Sequence, residues 1–154
     1  MKKLVSAALI ILFSFVICSC STVNDEVSKE TIEEYVIHNQ EKLNSFPESD
    51  MPIEQNEQER FLRDVLGADT IVKKVYRYNN NILEFYCGGK GLITNSEYSG
   101  FYYSADNTPF AFEFPTSSLK ETSPGVFERE NDSGESIITQ RIIKNWFYYH
   151  IIWH

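Results

Sequence analysis

The spacing of apolar residues changes near Asp69, and this change restricts the possible folds of the chain more than any other feature. Before Asp69, apolar residues recur every three or four positions, as they do on one face of a helix. After it, β-branched and aromatic residues alternate with polar residues in short runs separated by turn residues. Since no crossover helix fits between these runs, the strands are expected to pair antiparallel. We therefore predict a single α+β domain, with two N-terminal helices covering one face of an antiparallel meander of about six strands.

The predicted helices lie in the most acidic part of the chain. The first begins at Ser28 or Thr31, the two candidate N-caps, and ends at Phe46-Pro47, and the second spans residues 54–66. Residues 25–64 carry 12 acidic and 4 basic side chains, a net charge of −8. This charge argues against binding to nucleic acid, which requires a basic face, and against binding to anionic lipid. A basic protein partner is compatible with it.

Six strands are predicted from the alternation of apolar and polar residues. The clearest of them places Phe110, Phe112 and Phe114 on one side. The glycine-rich residues 88–91 are expected to end the second strand in a tight connection. The predicted strands span residues 70–78, 82–87, 100–104, 110–114, 126–130 and 136–154.

The first twenty residues have the pattern of a secretory signal. Lys2 and Lys3 give a positively charged start, and residues 4–17 form an uncharged, largely apolar run of 14 residues. A bilayer span requires roughly 20 apolar residues, so this run is too short to be one.

The sequence Ile17-Cys18-Ser19-Cys20 resembles the lipobox of bacterial lipoproteins. The resemblance implies that Cys20 is lipidated and becomes the new N-terminus, which gives a signal peptide over 1–19, a tether over 20–27 and a globular domain over 28–154. It also implies attachment to the membrane through the lipid. Ser21, in place of aspartate, implies the periplasmic face of the outer membrane, or the plasma membrane if the source is Gram-positive. The alternatives are lipidation at Cys18, ordinary cleavage near Ser19, or an uncleaved anchor.

No set of residues with catalytic or metal-binding spacing stands out in the sequence. Cys87 alternates with apolar residues, so we predict that it is a buried hydrophobic residue rather than a reactive thiol. His150 and His154 would lie about 13 Å apart along a strand, too far to share a metal ion. Residues 117–120 match a short Ser-x-x-Lys pattern but lack its companion motifs. His38 is predicted to be a surface residue. We therefore predict a protein that is not an enzyme and has neither a cofactor nor a metal.

The aromatic residues of the last strand are the best candidates for a binding surface. Phe147, Tyr149, Ile151 and Trp153 share one face, which we predict to be core. Trp146, Tyr148 and His150 share the other face and could contact a protein partner, since Trp and Tyr are enriched at binding hot spots.

The sequence thus predicts a lipid-anchored envelope protein with a small protein-binding domain that is not catalytic. A narrower alternative is an inhibitor or immunity protein against a basic envelope hydrolase or toxin, because an acidic surface would steer the encounter. A structural role in envelope assembly is a further alternative, and a small hydrolase is the least favoured.

Overall fold

The computed structural model describes residues 25–47, 55–78, 81–92, 95–112, 118–132 and 134–154. Cys20 and the rest of the predicted leader lie outside these ranges. The described chain confirms the α+β class and the antiparallel pairing of the strands. None of its helices is long and apolar enough to cross a membrane. Its elements are α1 Lys29–His38, α2 Gln40–Leu43, α3 Gln55–Leu66, β1 Lys74–Arg77, β2 Ile82–Leu92, β3 Asn95–Ser104, β4 Lys120–Ser123, β5 Val126–Glu130, β6 Ser136–Ile143 and β7 Trp146–Trp153.

The sheet is built from two meanders joined along one seam. The strand order is β1-β2-β3-β7-β6-β5-β4, so that β3 ends the first meander and pairs with β7, which ends the second. The prediction of one continuous meander of about six strands is therefore wrong, because the sheet of the described residues has seven strands and its two halves meet at β3 and β7.

In the described part of the chain three helices precede β1, where the sequence predicted two. The Oγ of Ser28 accepts a hydrogen bond from the backbone N–H of Thr31 (3.2 Å) and caps the start of α1. Asn39 ends α1, and α2 starts at the next residue. Its side-chain amide donates to the carbonyl oxygen of Tyr35 (3.0 Å), which satisfies an acceptor at the end of α1. The apolar spacing continues across Asn39, which is why the two helices look like one in the sequence.

The predicted strand over 110–114 is wrong. Phe110 and Phe112 lie in a loop, and the backbone N–H of Phe110 donates to the hydroxyl oxygen of Tyr102 (2.9 Å) instead of to a neighbouring strand. Phe112 has a φ of 52°, in the left-handed region that ends extended structure. Residue 114 lies outside the described ranges.

Two other strand boundaries also differ from the predictions. Strand β2 does not stop at residues 88–91 but continues through them to Leu92, with an irregularity between Tyr86 and Gly88. A Cβ atom at Gly89 would lie 2.1 Å from the carbonyl oxygen of Glu97, so glycine permits close approach of the two strands here. The predicted final strand is a hairpin, β6 and β7, whose turn contains Asn145 with a φ of 68°.

Both faces of the sheet carry a core. The helices pack on one face, where the rings of Phe85 and Phe101 stack with their centroids 4.7 Å apart. On the other face the rings of Tyr102 and Phe147 stack at 5.2 Å, and the loop with Phe110 packs against them. Cys87 is fully buried in the helix-side core, as predicted, and burial raises the pKa of its thiol.

Candidate functional site

The residues predicted to bind a partner lie mostly beneath the helices. Trp146 and Tyr148 are 1% and 5% exposed, and the indole N–H of Trp146 donates to the Oδ1 of Asn44 (3.1 Å). His150 is about a quarter exposed, with its Nε2 3.3 Å from a carboxylate oxygen of Glu97. Because helices cover this face, we do not retain Trp146 and Tyr148 as an interaction surface.

The opposite face of the sheet holds an open groove, which we call the tyrosine groove. Its volume is about 390 Å³. Five large apolar side chains are exposed among the described residues, and three of them, Tyr76, Tyr78 and Tyr98, line this groove. The described residues that line it are Lys74, Tyr76, Tyr78, Glu84, Tyr86, Tyr98, Phe112, Tyr149, Ile151 and Trp153.

The alternation of side chains along β1 and β2 builds one wall of the groove. Lys74, Tyr76 and Tyr78 are two residues apart, so they line the same face. The pairing of the strands places Tyr76 opposite Glu84 and Lys74 opposite Tyr86. Side chains on directly opposite residues of an antiparallel pair lie close enough to interact. The wall is therefore a ladder in which tyrosines are next to the carboxyl of Glu84 and the ammonium of Lys74.

The carboxyl of Glu84 forms part of the groove floor. Its Oε1 accepts a short hydrogen bond from the hydroxyl of Tyr149, and the hydroxyl of Tyr78 is also bonded to the carboxyl. Glu84 is 7% exposed, and desolvation raises the pKa of its carboxyl despite these two bonds. Burial beside Glu84 also raises the pKa of the Tyr149 hydroxyl well above its usual value.

Gly100 makes the bond between Tyr149 and Glu84 possible. Tyr149 is on β7 and Glu84 on β2, and β3 lies between them with Gly100 paired to Tyr149. A Cβ atom at Gly100 would lie 2.9 Å from the Tyr149 ring and 2.2 Å from the carbonyl oxygen of Phe85. The absence of a side chain therefore lets the tyrosine lean across the middle strand.

Replacing Glu84 by glutamine should stabilise the fold at neutral pH. Because the pKa of Glu84 is raised in the folded state, its favourable contribution is complete below the pKa of the unfolded chain, about 4.3, and is lost as the pH rises through the folded value. Glutamine can keep the bond from Tyr149 without ionising. We expect Glu84→Gln to raise the melting temperature at pH 7 and to converge with the wild type near pH 4.

The matched control for this measurement is Glu97→Gln. Glu97 is on the opposite face of the sheet, about a third exposed, and pairs with Lys90 at 3.2 Å. The substitution Glu97→Gln should leave the melting temperature at pH 7 unchanged or lower it slightly. A melting temperature of Glu84→Gln below that of Glu97→Gln at pH 7 would contradict the argument.

The lining of the groove offers recognition chemistry. Among the described residues the lining combines aromatic faces, one carboxyl and one ammonium, with no Ser, Cys or His side chain. Among the residues that the structure describes, no three His, Cys, Asp or Glu side chains are close enough to hold a metal ion. His38 is exposed, and its Nδ1 lies 2.7 Å from the carbonyl oxygen of Glu34. His150 lies on β7 and His154 just after it, in extended chain.

Sequence reasoning did not identify the groove tyrosines as a site. The available signal was the alternation of Tyr76 and Tyr78 with basic and apolar residues, together with Glu84 as the one acid in the apolar alternation of β2. The pairing of β3 with β7, which closes the groove, has no local signal in the sequence.

Comparison with known proteins finds no matching family model, no matching curated protein and no matching solved structure.

Proposed function

We propose that the chain is a lipid-anchored protein of the cell envelope whose folded domain binds a protein partner, without catalysis, through the tyrosine groove. The observation that carries this proposal is the concentration of exposed aromatic side chains there: Tyr76, Tyr78 and Tyr98 are 46%, 46% and 38% exposed. Exposed aromatic residues that border a concave site are typical of binding hot spots.

The proposed anchor is the lipidated Cys20. Support comes from its position after the apolar run and from the way the described chain starts. Asp25 lies beside β2, where its backbone N–H donates to Gly89 (3.4 Å) and its carboxylate pairs with Lys73 (2.5 Å). Four residues lie between Cys20 and Asp25, so the Cα atoms of these two residues are at most about 18 Å apart. An anchor at Cys20 therefore keeps this end of the sheet close to the membrane and favours a partner in the envelope.

The acidic helices favour a basic partner. Glu30, Glu34, Glu57 and Asp64 are exposed on α1 and α3, where they would attract a basic surface at long range. This observation supports the narrower alternative of an inhibitor or immunity protein against a basic hydrolase or toxin. Binding that depends on the helices should weaken between low and high salt, whereas binding centred on the tyrosine groove should persist.

The test is site-specific photo-cross-linking in cells. Tyr98 is replaced by p-benzoylphenylalanine in one variant and Ile138 in another, and both residues are 38% exposed. Ile137 belongs to the core on the groove face of the sheet, which we call the loop-side core because the loop with Phe110 packs on it. Ile138 is the next residue of β6, so its side chain lies on the opposite face, away from the groove. We expect one dominant protein adduct from position 98 and little adduct from position 138.

Equal adduct yields at the two positions, or no protein adduct at position 98, would contradict the proposal. Position 76 provides a second probe in the same groove and should capture the same partner as position 98.

A further inference from the structure

We propose that the tyrosine groove takes a cationic amine, the side chain of a lysine on the protein partner, seated between the tyrosine rings and the carboxyl of Glu84. This inference rests on the proposed function, because it names the chemical group that the same groove binds.

The first argument is the charge of Glu84. Of the described residues that line the groove it is the only acidic one, and 7% of it is exposed. Its hydrogen-bond partners are the hydroxyl groups of Tyr149 and Tyr78, which do not carry a compensating charge. None of the salt bridges within the described residues includes Glu84. A buried carboxylate without a cation is unfavourable, and an incoming ammonium group would compensate it.

The second argument is the aromatic surroundings of that carboxyl. Tyr76 lies directly opposite Glu84. Tyr86 on β2 and Tyr98 on β3 also line the groove, and their ring centroids are 6.3 Å apart. A cation within about 6 Å of a ring centroid is attracted to the ring face. An amine entering between the exposed rings would therefore meet favourable electrostatics before it reaches Glu84. The apolar stem of a lysine would pack on Ile151 and Trp153, which also line the groove.

The third argument is that the protein's own lysine does not fill this role. Lys74 lines the groove, but in the register of β1 and β2 it lies opposite Tyr86, and Tyr76 is the residue opposite Glu84. Its ammonium forms no salt bridge with Glu84 in the described structure. Lys74 therefore repels an incoming amine, so the proposal predicts that removing the charge of Lys74 strengthens amine binding.

A neutral sugar fits these observations less well. It could stack on the tyrosine rings, but it would leave the charge of Glu84 uncompensated. An anionic ligand would be repelled by Glu84 and attracted by Lys74. The three ligand chemistries thus predict different responses to changes at these two positions.

The test uses the full chain in non-ionic detergent and ligand-observed NMR titration. The probe is Nα-acetyl-lysine methylamide, and its matched neutral control is Nα-acetyl-norleucine methylamide. We expect the lysine probe to bind at least about tenfold more tightly than the norleucine probe, because only its ammonium can pair with the carboxyl and the rings.

Three variants of groove residues and one control variant on the opposite face locate the site. Glu84→Gln should weaken binding of the lysine probe about tenfold or more, whereas Glu97→Gln, with the same change in net charge on the opposite face, should change it less than about twofold. Lys74→Gln should strengthen binding by about two- to fivefold, because it removes a like charge. Tyr76→Leu should weaken binding without involving a charged group, and far-UV circular dichroism confirms that each variant is folded.

Equal binding of the two probes, equal effects of Glu84→Gln and Glu97→Gln, or weaker binding to Lys74→Gln would overturn the inference. Binding of chitotriose that is tighter than binding of the lysine probe would overturn it in favour of a sugar. Failure of amine binding, while p-benzoylphenylalanine at position 98 still cross-links to a partner, would refute this inference alone. Amine binding without any cross-linked partner would instead refute the proposed function.

Discussion

Replacing Cys20 by serine should abolish acyl labelling of the protein. Serine keeps the size and polarity of the position but cannot form the thioether that holds the diacylglyceryl group. Each buried methylene contributes about 0.8 kcal/mol to membrane attachment, so two or three acyl chains hold a protein essentially permanently, and the serine variant carries none of them at this position. The expected effect is therefore all or none rather than graded. Labelling with a radioactive or clickable fatty acid measures it directly.

The matched control is Cys18→Ser, two residues earlier in the same leader. Isoleucine is a poor fit before the lipidated cysteine of a lipobox, and Ile17 precedes Cys18 whereas the small Ser19 precedes Cys20. Cys18→Ser should therefore keep its label. Label retained by Cys20→Ser but lost by Cys18→Ser would reassign the modification to Cys18. Label retained by both variants would refute lipidation at either cysteine.

The sequence was sufficient to predict the fold class and most of the strands because these depend on local spacing. Strand β5 and its hairpin with β6 were predicted from turn residues and alternation, and both are present. The strand over 110–114 failed for a reason that is not local. Phe110 and Phe112 are partly buried because the loop that contains them covers the sheet. The ring centroids of Phe112 and Tyr149 are 4.6 Å apart, and Phe110 packs on Tyr102. Alternation reports burial, and burial by a covering loop can imitate burial in a strand.

The tyrosine groove depends even more on distant parts of the chain. Glu84 and Tyr149, which form its floor, are 65 residues apart in sequence. Their contact requires the pairing of β3 with β7 and a glycine at position 100 of the strand between them. Neither of these two conditions has a local pattern that would distinguish it from ordinary sheet packing.

Strand β7 shows the same limit in another form. Alternation correctly separated its residues into two faces, but it does not reveal what covers each face. Phe147, Tyr149 and Ile151 are in the loop-side core, as predicted, and Trp146 and Tyr148 are in the helix-side core. A central strand covered on both faces reads as a continuous apolar run, and residues 146–149 of β7 are all buried. Trp146 is therefore the residue whose role changes most between sequence and structure, from a possible contact for a partner to a central part of the core.

Replacing Trp146 by alanine should consequently destabilise the fold by about 3–5 kcal/mol, the range typical of a large aromatic residue removed from a core. The indole packs against Phe85, Phe101 and Tyr103, with ring centroids 5.6, 5.9 and 5.3 Å away. Since a domain of this size is stable by only about 5–15 kcal/mol, the change removes a large part of that stability. Urea unfolding followed by far-UV circular dichroism measures it.

Two further substitutions separate the core role of Trp146 from a role in binding. Trp146→Phe retains an aromatic ring but loses the hydrogen bond to Asn44, which is exposed and can bond to water instead, so it should cost much less than Trp146→Ala. Tyr98→Ala removes an exposed aromatic side chain from the groove and should change the free energy of unfolding by less than about 1 kcal/mol while weakening capture of the partner. If Trp146→Ala left the unfolding midpoint unchanged and instead abolished partner binding, Trp146 would belong to an interaction surface and the helices would not cover that face in solution. A loss of stability from Trp146→Ala, together with a loss of binding from Tyr98→Ala, would assign the two faces of the sheet to different tasks: one supports the helices, and the other presents the groove.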